Sequence, residues 1–225
     1  MGGGLVRIGV TVFPGSNCDR DALYAIERMG EKPVELWHAE ADLKGVDAVI
    51  VPGGFSYGDY LRPGAIARFA NVMGPLEEFA REGGPVLGVC NGFQVLCEAH
   101  LLPGALLQNR HMRFVCDRVR VRVETANTPW TAGFEGGEGL TLPVAHNEGN
   151  FFAAGETLAR LEDEGRVVLR YLENPNGSVN DIAGVCNEGR NVVGIMPHPE
   201  RVSDPALGSD EGLKILRSVM VGAGV

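Results

Sequence analysis

The first half of the chain alternates short apolar runs with longer amphipathic stretches. The apolar runs predict β-strands over residues 5–13, 33–38, 46–51 and 85–90. The stretches between them predict helices over residues 17–30, 65–81 and 93–102. We expect Asn17 to cap the first of these helices and Gly74-Pro75 to break or kink the second. Alternating strands and helices indicate a parallel sheet with helices on both faces.

The second half has a different pattern, in which valine and arginine alternate strictly over residues 119–123. This alternation predicts a strand over residues 113–124 with one exposed face, and apolar runs predict further strands over residues 140–145, 167–172, 182–186 and 191–196. A hairpin is expected at residues 187–190 and a closing helix over 209–219. We therefore predict a single three-layer α/β domain over residues 1–225, flavodoxin-like, with a mostly parallel central sheet and antiparallel additions.

Charge and cysteine content narrow the class of protein. The formal net charge is −9 and no basic stretch stands out, so neither nucleic acid nor an anionic membrane is an expected partner. No run of 18 apolar residues occurs, and the first residues lack the pattern of a secretory segment. The five widely spaced cysteines favour reduced thiols in the cytoplasm, and none stands at zinc-binding spacing.

The segment PVLGVCNGFQ, residues 85–94, places Cys90 between a predicted strand and a predicted helix. Gly88 and Gly92 flank it at two residues on either side, as in the strand–turn–helix elbow that presents a catalytic nucleophile. A helix N-terminus beside the sulfur stabilises a thiolate. A buried structural cysteine is the alternative for this motif alone.

A second motif, MPHPE at residues 196–200, follows another apolar run. Pro199 favours extended backbone at His198, so the side chains of His198 and Glu200 are expected to point the same way. An imidazole oriented by a carboxylate is the base of a catalytic triad, although a solvated turn explains this short motif equally well.

A third motif, PGGFSYGDY at residues 52–60, follows the third predicted strand. Paired glycines there let backbone N–H groups approach a ligand, as an oxyanion hole requires, whereas alone they indicate only a turn. All three motifs follow predicted strands, and the carboxyl ends of parallel strands are where open α/β sheets place their sites.

Together these motifs resemble the class I, or triad, glutamine amidotransferases. A finer resemblance, to the glutaminase subunits of phosphoribosylformylglycinamidine synthase, rests on PGSNCD (14–19), GGFSYGDYLR (53–62), NPNGS (174–178) and PHPER (197–201). The resemblance implies glutamine as substrate, Cys90 as nucleophile, His198 as general acid and base, and Glu200 as its orienter. It implies oxyanion donors from the backbone N–H of Asn91 and of Gly53, Gly54 or Phe55, and contact of Gln94 with glutamine.

The resemblance also implies partners. A large synthetase subunit would bind ATP, magnesium and formylglycinamide ribonucleotide, and a small third subunit would complete the complex in de novo purine synthesis. No metal or organic cofactor is expected in this chain, which lacks glycine-rich nucleotide motifs. The segment HNEG, residues 146–149, resembles a family segment that often has glycine where Asn147 stands, and its role stays open.

Three alternatives remain at this point. The first is an autonomous γ-glutamyl hydrolase, which would share the cysteine and the histidine. The second is the amidotransferase subunit of another pathway, and the third is a non-catalytic flavodoxin-like binding module. The arginines of residues 118–122 could dock a partner, but a charged strand face more often meets water.

Overall fold

The computed structural model describes residues 4–222 of the chain. Its strands are β1 (Arg7–Val12), β2 (Lys32–Trp37), β3 (Ala48–Val51), β4 (Val86–Val89), β5 (Ala105–Leu107), β6 (Val115–Val123), β7 (Gly139–His146), β8 (Asn150–Phe152), β9 (Val167–Tyr171), β10 (Ile182–Cys186) and β11 (Val192–Ile195). Its α-helices are α1 (Asp19–Arg28), α2 (Met73–Arg81), α3 (Asn91–Glu98), α4 (Gly155–Asp163) and α5 (Gly212–Gly222).

Nine strands form one sheet in the order β2-β1-β3-β4-β11-β10-β9-β6-β7. The first five in this order pair in parallel, and the remaining four continue the sheet as antiparallel neighbours. The predicted α/β fold, with a parallel core and antiparallel additions, is therefore confirmed. β3, β4 and β11 are buried along their whole length, as apolar parallel strands packed on both faces should be.

Helix α3 covers the centre of this parallel region and packs against β3, β4 and β11. All of its residues from Asn91 to Cys97 are buried, so the helix lies inside the molecule. Helix α1 packs against β1 and β2, with Asp19 and Asp21 in its first turn and Arg28 in its last. Acidic residues at the N-terminus and a basic residue at the C-terminus stabilise the helix by interacting with its dipole.

Two expectations about helix ends are wrong. Cys18, and not Asn17, occupies the N-cap position of α1, and no side chain caps the helix there. Gly74 and Pro75 lie in the first turn of α2, where they neither break nor kink it. The reason is that proline removes an N–H that has no intrahelical partner at a helix start. The break falls earlier, at Ala70, whose backbone is extended after a 3₁₀ turn.

Three elements were not predicted. Strands β5 and β8 pair into a separate two-stranded sheet, and helix α4 precedes β9. The expected hairpin at residues 187–190 is present between β10 and β11. No helix within residues 4–222 has the length and apolar character needed to cross a membrane. Residues 1–3, on which the expected lack of a secretory segment partly rests, lie outside the described residues.

Candidate active site

Cys90 stands at a strained elbow between β4 and α3. Its backbone has φ 51° and ψ −105°, a conformation that residues other than glycine rarely adopt. Holding a residue in this backbone conformation costs about 1–3 kcal/mol of folding free energy. The conformation persists only where the surrounding structure enforces it. The backbone N–H of Cys90 donates to the carbonyl of Ile195 at 2.8 Å, which fixes the turn to the neighbouring strand β11.

The two flanking glycines are required because other backbone passes close to them. A Cβ at Gly92 would lie 1.8 Å from the carbonyl oxygen of Val51, and one at Gly88 would lie 2.8 Å from the carbonyl carbon of Gly92. Both distances are shorter than any real Cβ contact, so only glycine fits at either position. The spacing seen in the sequence therefore reflects how closely β3 and α3 approach the elbow.

His198 and Glu200 form a buried pair beside this elbow. Nδ1 of His198 lies 2.6 Å from Oε1 of Glu200, and both side chains are almost wholly buried. The expected pairing is present, but its backbone explanation is wrong. His198 is extended, whereas Glu200 lies in the 3₁₀ turn Pro199–Val202. The N–H of His198 donates to the carbonyl of Pro143 in β7 at 2.8 Å, which anchors the segment from the antiparallel side.

The surroundings of His198 favour its charged form. Burial by itself disfavours the imidazolium, but the carboxylate of Glu200 and the thiols of Cys90 and Cys18 outweigh burial, so the pKa of His198 lies well above its ordinary value. Nε2 of His198 is buried and has no hydrogen-bond partner. A charged imidazole oriented on one side and free on the other can pass a proton to a bound molecule.

The Gly53-Gly54 segment lies against the same two residues. A Cβ at Gly53 would come within 2.7 Å of Cε1 of His198, so a side chain there would collide with the imidazole, and it would lie 3.4 Å from Cβ of Cys90. Phe55 was expected among the candidate oxyanion donors, but its N–H already donates to the carbonyl of Gly15 at 3.0 Å. In the present conformation Phe55 is therefore excluded as an oxyanion donor, and Gly53 and Gly54 remain as candidates. The N–H of Asn91 is in the first turn of α3, where no intrahelical acceptor is available.

One pocket brings these segments together. β3, β4 and β11 are adjacent and parallel, so the segments that follow them meet at one edge of the sheet. The lining residues are Asn17, Cys18, Gly54, Phe55, Asp59, Cys90, Gln94, Phe114, Ala145, His146, Asn147, Glu148, His198 and Arg201. Sγ of Cys90 donates to the carbonyl of Ala145 at 3.7 Å, so the antiparallel half supplies the facing wall.

Sequence reasoning gave no role to Cys18 or Arg201, although both lie in the family-like segments. Nη2 of Arg201 donates to Sγ of Cys18 at 3.1 Å, and its Nε faces Asp21 at 3.4 Å. Cys18, His198 and Glu200 offer ligand atoms within 4.8 Å of one another, which makes them the described residues most able to hold a metal ion. These groups already bond to one another or to Arg201, so the structure itself accounts for their clustering.

His146 lies beside the pocket and is electrostatically unlike His198. Burial, followed by the positive charge of His198, lowers the pKa of His146 to about 4. Nδ2 of Asn176 lies 3.4 Å from Nε2 of His146, and Nδ1 has no partner. A Cβ at Gly149 would lie 2.4 Å from the ring, which explains the glycine of the HNEG segment. His146 is thus a neutral group of the pocket wall.

Comparison with known proteins agrees with this geometry. A family model described as a CobB/CobQ-like glutamine amidotransferase domain matches residues 5–210. The chain belongs to this glutamine amidotransferase family.

Within the family, the chain is similar to phosphoribosylformylglycinamidine synthase subunit PurQ. The PurQ of Rubrobacter xylanophilus is 83% identical over 98% of this chain and 100% of the relative, and that of Trichormus variabilis is 55% identical over 96% and 97%. A chain in the structure of PurLQS from Thermotoga maritima is 42% identical, with a TM-score of 0.91 over 98% of this chain and all of that chain.

Proposed function

We propose that this chain is the glutaminase subunit of phosphoribosylformylglycinamidine synthase, supplying ammonia to a separate synthetase subunit. One observation supports the chemistry above all others. Three adjacent parallel strands deliver Cys90, the His198–Glu200 pair and the Gly53-Gly54 segment to one pocket. The choice of pathway rests on 83% identity, over nearly the whole chain, to a subunit of that synthase.

In the proposed reaction, the thiolate of Cys90 attacks the side-chain amide carbon of glutamine. The N–H groups of Asn91 and of Gly53 or Gly54 stabilise the oxyanion, an effect of about 3–4 kcal/mol per donor. His198 protonates the departing ammonia and then activates water, which hydrolyses the γ-glutamyl thioester to glutamate. Glu200 holds the imidazole in position and stabilises its charge.

The partner synthetase carries the second half of the reaction. It uses ATP and magnesium to convert formylglycinamide ribonucleotide into formylglycinamidine ribonucleotide, and this chain supplies only ammonia. A small third subunit completes the complex, and we place the assembly in the cytoplasm. A γ-glutamyl hydrolase or a subunit of another pathway would share the triad, but the curated relatives named above favour the purine enzyme.

The test is Cys90→Ala in the assembled complex. We expect glutamine-dependent product formation to fall by about 10⁶-fold, as loss of a triad nucleophile does elsewhere. Synthesis from added ammonium salts should persist, because that site is on another chain. Cys116→Ala, at an exposed cysteine, is the matched control and should change neither activity. Loss of both activities in a Cys90→Ala complex that assembles normally would contradict the proposal.

The structure makes covalent labelling a sharper test, because Cys18 lies in the same pocket as Cys90. The γ-diazoketone analogue of glutamine should modify Cys90 and leave Cys18 intact, since Cys90 stands at the strained elbow that opens α3, whereas Cys18 does not. Burial raises the pKa of the Cys97 and Cys186 thiols, so neither should react. Peptide mapping by mass spectrometry reads the result, and modification of Cys18 alone would overturn the assignment.

A further inference from the structure

The NPNGS motif, residues 174–178, has no part in the proposed reaction. It forms a tight turn after β9, in which the side chains of Asn176 and Ser178 are buried and that of Asn174 is exposed. Oδ1 of Asn174 accepts from the N–H of Asn176 at 3.2 Å and from that of Gly177 at 2.8 Å. Gly177 has φ 92°, which glycine adopts without strain. The turn therefore directs two polar side chains into the protein, where both need hydrogen-bond partners.

The amide of Asn176 has one defined orientation. Its Oδ1 accepts from the backbone N–H of Ser178 at 3.0 Å and from the hydroxyl of the same residue at 2.7 Å. Because only the amide oxygen can accept these bonds, Nδ2 faces the other way. Nδ2 donates to the carbonyl of Gly149 at 2.9 Å and lies 3.4 Å from Nε2 of His146. Asn176 thus contacts both ends of the HNEG segment.

A second buried asparagine, Asn109, holds the same segment. Its Oδ1 accepts from the N–H of Gly149 at 3.0 Å, and its Nδ2 donates to the carbonyl of His146 at 3.0 Å. Its backbone N–H donates to the carbonyl of Asn147 at 2.8 Å. Three of the four carbonyls in the HNEG segment are therefore bound by Asn109 or Asn176, neither of which lines the pocket.

The fourth carbonyl of the segment, that of Glu148, connects it to the nucleophile's helix. It accepts from Nε2 of Gln94 at 2.7 Å, and Gln94 lies on α3, one turn after Cys90. The carbonyl of Ala145, which precedes the segment, faces Sγ of Cys90 at 3.7 Å. The HNEG segment therefore forms the wall opposite the nucleophile, and the two asparagines hold this wall from behind.

We propose that Asn176 is a positioning residue, which together with Asn109 sets the distance between the HNEG wall and Cys90. The inference rests on the proposed function, because this distance matters only if glutamine is held between the wall and the nucleophile. A displacement of about 1 Å costs roughly 10²-fold in rate, even when the altered residue is far from the reacting atoms. Asn176 bonds to the wall rather than to Cys90 or His198, so its loss should leave the reactivity of the thiol unchanged.

The experiment compares two buried asparagines in the complex with the synthetase. Asn176→Ala should lower kcat/KM for glutamine by about 10²-fold and leave ammonium-driven synthesis unchanged. Asn191→Ala is the matched control. Nδ2 of Asn191 donates to the carbonyls of Ala80 and Gly84 at 2.7 and 2.8 Å, just before β11 and at the opposite edge of the sheet from the pocket. Both variants should lower the urea midpoint comparably, but Asn191→Ala should keep the parent's kcat/KM.

Covalent labelling of Cys90 separates a displaced wall from a damaged elbow. The γ-diazoketone analogue of glutamine has to fit between the wall and the nucleophile, whereas iodoacetamide is much smaller. In Asn176→Ala we expect labelling by the analogue to slow by about 10²-fold and labelling by iodoacetamide to match the parent. Peptide mapping by mass spectrometry measures both rates at Cys90. Equal slowing of the two reagents would mean that the elbow itself has changed and would overturn the inference.

Ser178→Ala tests the same contact more gently. It removes the hydroxyl that donates to Asn176 and accepts from the N–H of Phe151 at 2.9 Å, but leaves the amide of Asn176 in place. We expect kcat/KM to fall by about 2- to 10-fold, the value of one neutral hydrogen bond.

Three results would contradict the positioning role. One is a parent-like kcat/KM in Asn176→Ala, or in Ser178→Ala if the first variant does not assemble. Another is a loss of kcat/KM in Asn191→Ala as large as that in Asn176→Ala. The third is the equal slowing of both reagents. If the parent complex releases no ammonia from glutamine at all, the proposed function fails instead.

Discussion

The parallel half of the sheet (β1–β4 and β11) and the antiparallel half (β6, β7, β9 and β10) contribute to the site in different ways. In the parallel half, three neighbouring strands end at the pocket, and the residues after them carry the proposed chemistry. The antiparallel half supplies the facing wall of the pocket, which includes His146 at the end of β7 as well as backbone carbonyls. The carbonyl of Ala145 faces the thiol of Cys90, and that of Pro143 receives the N–H of His198.

The two halves also differ in how they are buried. β3, β4 and β11 expose no residue, whereas β6 alternates buried valines with exposed arginines at residues 118–123. A strand packed on both faces tolerates little change, so residues placed at its end are held firmly. The comparison indicates that one half positions reacting groups while the other closes the pocket around them.

The largest expected effect tests the division of labour within the parallel half. His198→Ala in the assembled complex should lower kcat for glutamine by about 10⁶-fold, because His198 moves the proton. Glu200→Gln should lower it by about 10⁴-fold, since Glu200 only orients the imidazole and stabilises its charge. Steady-state ammonia release measures both, and ammonium-driven synthesis is the control for assembly. A Glu200→Gln defect larger than that of His198→Ala would reverse the roles.

The second prediction compares a glycine in each half. Gly92→Ala would place a Cβ 1.8 Å from the carbonyl of Val51, whereas Gly139→Ala in β7 would have its nearest contact at 3.8 Å, from Val121. We expect Gly92→Ala to cost about 1–3 kcal/mol of unfolding free energy or more. Any shift of the elbow by about 1 Å would also cost roughly 10²-fold in rate.

Gly139→Ala should stay within about 0.5 kcal/mol of the parent and retain full activity. Urea unfolding and ammonia release on the same samples measure both variants. Equal losses for the two substitutions would show that the close approach of β3 to the elbow does not control stability.

The elements of the parallel half could be predicted from the sequence more accurately than those of the rest of the molecule. Apolar runs located β1, β3, β4 and β11 to within two residues at either end, because a strand buried on both faces has to be apolar throughout. The pairing of His198 with Glu200 was expected, although through the wrong backbone conformation. Strands β5 and β8 were missed because they are three residues long, and helix α4 was missed because it fully buries only Leu161, so tertiary contacts define these elements.

The site was only partly predictable for a related reason. Cys90 is set by local geometry that the flanking glycines reveal in the sequence. Asp59 and Cys18 belong to the pocket only through contacts that span the chain, from Asn91 and from Arg201. The family-like segments contain both residues, but nothing in those segments assigns either residue to the pocket. The occupied N–H of Phe55 likewise depends on Gly15, forty residues earlier in the chain.

The third prediction concerns the pH dependence of stability and compares one histidine from each half. The pKa of His146 is lowered to about 4, so below its ordinary value of about 6.5 the unfolded chain takes up a proton that the folded chain does not. His146 should therefore reduce stability as pH falls from about 6.5 to 4, by up to roughly 3 kcal/mol. His198 has the opposite sign, since its raised pKa stabilises the fold below pH 6.5 and this contribution is lost as pH rises through the folded value.

Urea unfolding at pH 7 and pH 5 measures the balance. His146→Gln should remove the acid-side loss of stability even if the variant is less stable overall, because the titrating group is gone. His100→Gln, at an exposed histidine, should leave the pH dependence unchanged. An unchanged pH slope in His146→Gln would mean that His146 is protonated in the folded protein.

The smallest expected effect lies on the outward face of the antiparallel half. Arg118, Arg120 and Arg122 are exposed on β6, and Arg122 already pairs with Glu124 at 2.6 Å. A charged strand face ordinarily meets water, and exposed ion pairs contribute about 0–1 kcal/mol. Arg118→Gln combined with Arg120→Gln should therefore change the unfolding free energy by less than about 0.5 kcal/mol and leave assembly with the synthetase intact.

Urea unfolding and size-exclusion chromatography of the complex measure the two outcomes. A complex that no longer forms would mean that the antiparallel half docks the partner, and that its role extends beyond closing the pocket.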